Sequence, residues 1–152
     1  MELNLSDGGR SQYFKSSSND CVVRAICNAT NYDYKEIYDS LVQWSKTYAI
    51  QKNDRYAKKL RKQKVITVRN GVYPPIAKSF LNGLGFRFTS TMSIGSGCQT
   101  HLIKDELPQG TLIVRLSKHL TCVKDGILFD TFDCSRNGTR CVYGYWSRLD
   151  VS

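Results

Sequence analysis

Residues 18–26 read Ser18-Asn19-Asp20-Cys21-Val22-Val23-Arg24-Ala25-Ile26, and they predict a helix that begins close to the cysteine. The apolar residues after Cys21 recur at helical spacing, and Asn19 or Asp20 can cap the helix start. The N–H groups of a first helical turn lack a carbonyl partner within the helix, and the helix dipole places positive charge there. We therefore expect the thiol of Cys21 to ionise more easily than that of a free cysteine.

A second stretch predicts a β-hairpin, and it reads Lys118-His119-Leu120-Thr121-Cys122-Val123-Lys124-Asp125-Gly126-Ile127-Leu128-Phe129-Asp130. Asp125-Gly126 is a strong signal for a two-residue turn. Pairing across that turn sets Thr121 opposite Asp130, and strand alternation puts His119 on the same face. Asp130 can then orient the imidazole of His119, although a bulge at the strand end would bring Asp133 there instead.

Cysteine, histidine and aspartate in this arrangement predict a nucleophilic site. A thiolate at Cys21, paired with protonated His119, would attack an amide carbon, and His119 would then protonate the leaving group. The backbone N–H of Cys21 and one further donor would bind the oxyanion, and Asn19 and Gln12 are both candidates for that donor. Cys27, further along the same helix, is expected to be buried and unreactive.

The order of elements, helices first and strands later, predicts an α+β fold whose helices pack on a C-terminal antiparallel sheet. Residues 1–18 are polar and predict an N-terminal arm with one edge strand near residues 12–14. Residues 19–152 predict a single domain. Within it, Asp33 and Glu36 predict the start of a second helix, Pro75 that of a third, and residues 101–107 a short fourth. Strands are expected near residues 86–89, 111–116 and 142–146.

A basic insertion at about residues 45–70 interrupts this pattern. It contains one acidic residue, Asp54, and nine basic ones: Lys46, Lys52, Arg55, Lys58, Lys59, Arg61, Lys62, Lys64 and Arg69. The stretch is either a solvated helix or loop, or a docking patch whose binding residues are Lys58, Lys59, Arg61, Lys62 and Lys64. The net charge of +9 makes nucleic acid or an acidic protein a candidate partner.

The six cysteines show neither a disulfide framework nor a C-x-x-C motif, so most are expected to be thiols in a reducing compartment. A zinc site can be drawn from Cys98, His101, Cys134 and Cys141, but its single C-x-x-H is weak support, and we expect no metal and no cofactor. No apolar run approaches the roughly 18 residues that cross a bilayer, and the first residues lack a signal peptide pattern. We expect an intracellular protein without a membrane segment.

These motifs resemble the papain-like cysteine hydrolase superfamily, in which a cysteine on a helix faces a sheet that carries histidine and then aspartate or asparagine. The segment 19–26 also looks like the nucleophile motif of ovarian-tumour-type deubiquitinases, where D-G-N-C precedes two apolar residues and R-A; here Asn19-Asp20 replaces G-N. From about Asn19 to Trp146, except over the basic insertion, the chain is similar to a group of small phage and prophage proteins. They share N-D-C-V-V-R-A, S-K-H before the hairpin and a closing G-T-R-C-V-Y-G-Y-W.

The resemblance implies a papain-like fold and a phage-encoded protein in the cytoplasm of a bacterial host cell. We expect a cysteine-dependent hydrolase of an amide or isopeptide bond in a protein or peptide substrate, of which a host protein is one candidate. Peptidase, deubiquitinase-like, deamidase and acyltransferase activities all use this constellation. The alternatives are a non-catalytic basic protein that binds nucleic acid or a host factor, and a phage structural protein in which Cys21 is dispensable.

Overall fold

Four α-helices and six β-strands form the computed structural model, which describes residues 1–15 and 18–148. The helices are α1 (Cys21–Thr30), α2 (Tyr34–Gln51), α3 (Arg55–Arg61) and α4 (Pro74–Gly83). The strands are β1 (Glu2–Leu5), β2 (Phe86–Ser90), β3 (Thr111–Leu116), β4 (His119–Lys124), β5 (Ile127–Asp130) and β6 (Gly144–Arg148). The predicted α+β class is confirmed.

The strands form one sheet in the order β1-β5-β4-β3-β6-β2. The β4–β5 hairpin has the predicted register, with Lys124 paired to Ile127. Its turn residues Asp125 and Gly126 have φ values of 49° and 80°, as the tightest hairpin turns require. The C-terminal strands β2–β6 pair antiparallel, as predicted, but the sheet is mixed because the N-terminal strand β1 lies parallel to β5.

The N-terminal residues belong to the sheet and to the core. The backbone N–H of Ser6, just after β1, donates to the carbonyl of Asp130 (2.9 Å). The prediction of an edge strand near residues 12–14 is wrong. A short 3₁₀ turn covers Arg10–Gln12, and the strand lies at Glu2–Leu5 instead. The chain changes direction between them at Gly8 and Gly9, both of which have positive φ.

Helix α1 is fixed by its apolar face. Val23 and Ile26 are completely buried, and they share a core with Ile113 of β3 and Cys122 of β4. Full burial of one such side chain contributes roughly 1.5–3 kcal/mol. The opposite face of the sheet has its own core, formed by Leu102, Leu107, Leu112, Val114, Leu116, Val123, Leu128, Cys134 and Val142. The sheet is therefore covered on both faces, and the N-terminus of α1 is held over the start of β4.

The other helices follow local signals in part. Asp33 caps α2 by accepting the N–H of Glu36, as predicted, and α4 begins at Pro74. The expected helix at 101–107 is wrong: only a 3₁₀ turn forms at Lys104–Glu106, and His101 makes a β-bridge to Cys141. Among the described residues, no helix combines the length and the apolarity that a membrane crossing requires.

The basic insertion is largely helical. Helix α2 continues to Gln51, and Asp54 then caps α3 by accepting the N–H groups of Tyr56 and Ala57. Arg61 donates to the carbonyls of Ala49 (2.6 Å) and Lys52 (3.0 Å), so its guanidinium caps the C-terminal end of α2. The other predicted binding residues, Lys58, Lys59, Lys62 and Lys64, are exposed.

The six cysteines divide into four free thiols, Cys21, Cys27, Cys122 and Cys134, and one bonded pair. Cys98 and Cys141 form a disulfide, with their Cα atoms 5.8 Å apart. It links the segment after β2 to the segment before β6. Because two of its four ligands are bonded to each other, the zinc site drawn from the sequence cannot form in this state.

A buried carboxylate joins the N-terminal segment to α1 and α2. Asp20 is fully buried at the N-cap of α1 but makes no capping hydrogen bond. Its carboxylate lies 3.1 Å from Arg10 Nη1 and 3.2 Å from Arg24 Nε, and the Tyr34 hydroxyl donates to it. Removal of one member of such a cluster leaves buried charge without a partner, which is more costly than the loss of the ion pair itself.

We expect Asp20→Ala to lower the free energy of unfolding by about 3–5 kcal/mol, because the guanidinium of Arg10 and that of Arg24 lose their shared carboxylate. Urea unfolding followed by circular dichroism measures this. The control is Asp39→Ala, which breaks the exposed pair with Lys35 and should cost less than about 1 kcal/mol. Equal losses in the two variants would contradict a structural role for Asp20.

Candidate active site

The packing of α1 on β4 brings Cys21 and His119 together. Cys21 is the first residue of α1, and His119 is the first residue of β4. The His119 side chain and the backbone N–H of Leu120 both interact with the Cys21 thiol and lower its pKa. The sulfur therefore lies at a helix N-terminus, beside a base and a backbone donor.

Asp130 holds the imidazole from the opposite side. Its Oδ2 lies 2.7 Å from Nε2 of His119, which leaves the Nδ1 side of the ring for Cys21. Oδ2 also accepts the hydroxyl of Thr121 (2.7 Å), and Oδ1 accepts the backbone N–H of Thr131 (2.7 Å). The ring of Phe132 lies 5.6 Å from that of His119, centroid to centroid. Both the carboxylate and the imidazole are thus held in one orientation.

The structure brings Asp130, not Asp133, to His119. Asp133 is exposed, and its carboxylate accepts the N–H (3.0 Å) and the hydroxyl (2.6 Å) of Ser135. Strand β5 ends at Asp130 without the bulge that would have turned Asp133 inward.

The two predicted oxyanion donors lie in different places. Asn19 lines the same cleft as Cys21. Gln12 is exposed and lines another cavity, beside Asn28 and Tyr34, so the structure does not bring it into the cleft of Cys21. The reason is the 3₁₀ turn, which directs the buried Arg10 towards Asp20 and leaves Gln12 on the surface.

The charges around the site favour a thiolate and an imidazolium. Burial opposes ionisation of Cys21, but the hydrogen bonds from His119 and Leu120 and the charges of His119 and Arg24 outweigh it, and the pKa of Cys21 is lowered. Burial likewise opposes the charged form of His119, but hydrogen bonds to Asp130, Cys134 and Cys21 raise its pKa to about 11. His119 is therefore protonated throughout the neutral range.

Two other thiols show what burial alone does. Desolvation raises the pKa of both Cys27 and Cys122 to about 12. Cys27 is buried, as predicted, although it belongs to the same helix as Cys21. The ionisation of Cys21 thus follows from its contacts with β4, beyond the effect of its helix.

Three residues at the site had no assigned role in the sequence prediction. Cys134 is buried beside the triad, with its sulfur 3.4 Å from Oδ2 of Asp130. Arg24 donates to the hydroxyl of Thr131 (3.0 Å) and so ties α1 to the end of β5. Arg140 donates to the carbonyl of Ser117 (2.8 Å) in the β3–β4 turn. Arg24 follows Cys21 by about one helical turn, so its position beside the site could have been predicted from helical spacing. Cys134 and Arg140 belong to irregular segments, whose positions no sequence pattern indicates.

One group of side chains near the site has metal-ligand chemistry. The potential ligand atoms of His119, Asp130 and Cys134 all lie within 4.8 Å of one another. They are already hydrogen bonded to each other, so a metal ion would have to displace the contact between His119 and Asp130. The arrangement as it stands is that of an oriented base and not of an open metal site.

An open cleft of about 620 Å³ exposes Cys21 and His119 to solvent. One wall is the segment that follows the basic insertion, residues 70–72, and the other is the β3–β4 turn. The insertion residues Lys58, Lys59, Arg61, Lys62 and Lys64 do not line it. The cleft has room for a few residues of an extended chain.

Comparison with known proteins provides no relative from which a role could be transferred. No protein-family model, no curated protein and no solved structure matches the chain. Its function is therefore inferred from the contacts of the site.

We expect Asp130→Asn to raise the pH at which Cys21 becomes reactive by roughly 1–2 units, because the carboxylate that favours the imidazolium is lost. The rate of Cys21 alkylation, measured across pH, gives this midpoint. Asp133→Asn is the matched control and should leave the midpoint unchanged. A shift in Asp133→Asn, or none in Asp130→Asn, would contradict the orientation described here.

Proposed function

We propose that this chain is a cysteine-dependent hydrolase of amide or isopeptide bonds, with Cys21 as nucleophile, His119 as acid and base, and Asp130 as orienting carboxylate. A single observation carries the proposal: the His119 side chain interacts with the Cys21 thiol and lowers its pKa, is hydrogen bonded to the Asp130 carboxylate, and lines with Cys21 a cleft that is open to solvent. The papain-like fold is part of the proposal and is supported by the resemblance of the motifs and by the helix-on-sheet arrangement.

In the first step, the Cys21 thiolate attacks the carbonyl carbon of the substrate and forms a carbon–sulfur bond. The carbonyl oxygen becomes an oxyanion, and collapse of this intermediate breaks the carbon–nitrogen bond. His119 gives its proton to the leaving nitrogen. The products are a thioester on Cys21 and a free amine or ammonia.

In the second step, water attacks the thioester carbon while neutral His119 takes one of its protons. The carbon–sulfur bond then breaks, which releases a carboxylic acid and returns Cys21 as a thiolate beside protonated His119. Asp130 keeps the ring in place for both proton transfers, and it stays ionised because His119 and Thr121 hold its pKa below the ordinary value despite its burial.

The oxyanion would be bound at the N-terminus of α1. The backbone N–H of Cys21 belongs to the first helical turn, where N–H groups have no partner within the helix. Asn19 precedes it and lines the same cleft, so its side-chain amide is the proposed second donor. A donor of this kind typically lowers the barrier by about 2.7–4 kcal/mol.

The resemblance to phage proteins suggests where the substrate is found, and the charge of the basic insertion suggests a second candidate function. Similarity to phage and prophage proteins supports action in the cytoplasm of a bacterial host cell, on a host or phage protein. A second candidate function, the binding of nucleic acid or a host factor by the basic insertion, is supported by the exposure of Lys58, Lys59, Lys62 and Lys64.

We expect iodoacetamide to alkylate Cys21 rapidly below pH 7 and faster than the other free cysteines, because its contacts with His119 and Leu120 lower the pKa of the thiol. In His119→Ala the rate at pH 6 should fall by at least about tenfold, since one unit of pKa changes the thiolate fraction tenfold. Mass spectrometry of the digested protein identifies the labelled cysteine. Cys27 and Cys122 provide internal controls, because burial keeps both protonated.

The outcome separates the two candidate functions. If Cys21 reacts no faster than Cys122, the hydrolase proposal fails. A binder would instead lose its ligand when Lys58, Lys59, Lys62 and Lys64 are changed to Gln, and its affinity would fall steeply with salt. Those four changes should leave the alkylation rate of Cys21 unchanged if the chain is a hydrolase.

A further inference from the structure

The cleft at Cys21 carries positive charge without compensating carboxylates on its walls. Arg24, Arg115 and Lys118 line it, and Arg69 lines the adjoining cavity beside Asn19. None of the described residues that line the cleft is Asp or Glu. A concave surface of one sign concentrates ligands of the opposite sign.

Two of these cations have no partner within the described part of the chain. Arg115 and Lys118 are exposed, and neither makes a side-chain hydrogen bond, an ion pair or a ring contact with another described residue. Arg24 differs, because it is bonded to Asp20 and to Thr131. The charge available to a ligand is therefore that of Arg115 and Lys118.

Both side chains are held at defined places beside the nucleophile. Arg115 lies near the end of β3, where it pairs with Leu120, the residue that follows His119. Lys118 immediately precedes His119 in the β3–β4 turn, with a φ of 55°. The buried Arg140 fixes that turn by its bond to the carbonyl of Ser117.

We infer that the cleft binds an acidic polypeptide segment, with Arg115 and Lys118 in contact with carboxylate side chains next to the bond that Cys21 attacks. This inference rests on the proposed hydrolase function and adds the class of substrate. Apolar side chains complete the walls and suit the stems of an extended peptide: Val22, Val72, Pro74, Leu116, Leu120 and Phe132. The reacting bond is an amide, which makes a polypeptide a better occupant than a nucleic acid.

Two alkylating agents that differ by one charge test the inference without a known substrate. Iodoacetamide is neutral and iodoacetate is an anion, and in both the Cys21 sulfur attacks the methylene carbon, so that a carbon–sulfur bond forms and iodide leaves. The measured quantity is the ratio of their rates, iodoacetate over iodoacetamide, at Cys21. We expect this ratio to fall by at least about threefold in the double variant Arg115→Gln, Lys118→Gln, and to fall in the wild type as salt is raised.

The matched control is the double variant Lys46→Gln, Lys104→Gln. It removes the same charge from exposed positions that do not line the cleft, and it should keep the wild-type ratio. A ratio unchanged in the Arg115→Gln, Lys118→Gln variant overturns the inference. Because iodoacetamide alone reports the thiolate, a fast iodoacetamide reaction with an unchanged ratio overturns only the substrate class, whereas a slow one overturns the hydrolase.

Protection of Cys21 distinguishes the class of anion. Hexaglutamate should slow alkylation of Cys21 by iodoacetamide in the wild type, more than hexaglutamine does, and should lose this effect in the Arg115→Gln, Lys118→Gln variant. Stronger protection by an oligothymidylate of equal charge would overturn the polypeptide assignment in favour of nucleic acid. Equal protection by hexaglutamate and hexaglutamine would overturn recognition of acidic side chains.

Discussion

The buried carboxylate of Asp20 connects the parts of the chain on which the site depends. It binds the guanidiniums of Arg10 and Arg24 and the hydroxyl of Tyr34, and so joins the N-terminal segment, α1 and α2. Arg24 continues the connection to Thr131, the residue after the orienting carboxylate. A charge-assisted network thus extends from Arg10 in the N-terminal segment to Thr131 at the end of β5. Asp20, Arg10 and Tyr34 are buried, so water cannot substitute there for a lost partner.

Burial and charge oppose each other at the reactive centre, and contacts between charged groups decide the result. Desolvation alone would leave Cys21 a thiol and His119 neutral, as it leaves Cys27 protonated. The imidazolium is stable because the Asp130 carboxylate is held against it by Thr121. The same contacts keep Asp130 ionised. The charged forms of Cys21, His119 and Asp130 therefore stabilise one another, and loss of any one of them favours the neutral forms of the others.

Local patterns in the sequence predicted the elements that carry the site. The Asp125-Gly126 turn sets the hairpin register, which is why the position of Asp130 beside His119 was predictable. Contacts between distant segments left no such pattern: β1 pairs parallel to β5, and a parallel pair has no connecting turn to identify it. Asp20 looked like a helix cap, but its side chain turns away to meet Arg10, a partner that only the folded chain supplies.

Cys21 and His119, the two halves of the proposed reactive centre, lie far apart along the chain, and this has a consequence for biosynthesis. Cys21 leaves the ribosome long before the β3–β4 turn is made, and until His119 packs against it the sulfur is an ordinary thiol, protonated at neutral pH. The nascent chain therefore carries no activated nucleophile. Under the proposed function, the thiolate is favoured only after the sheet has formed and α1 has docked on it, so an incompletely folded chain would not modify itself or neighbouring proteins.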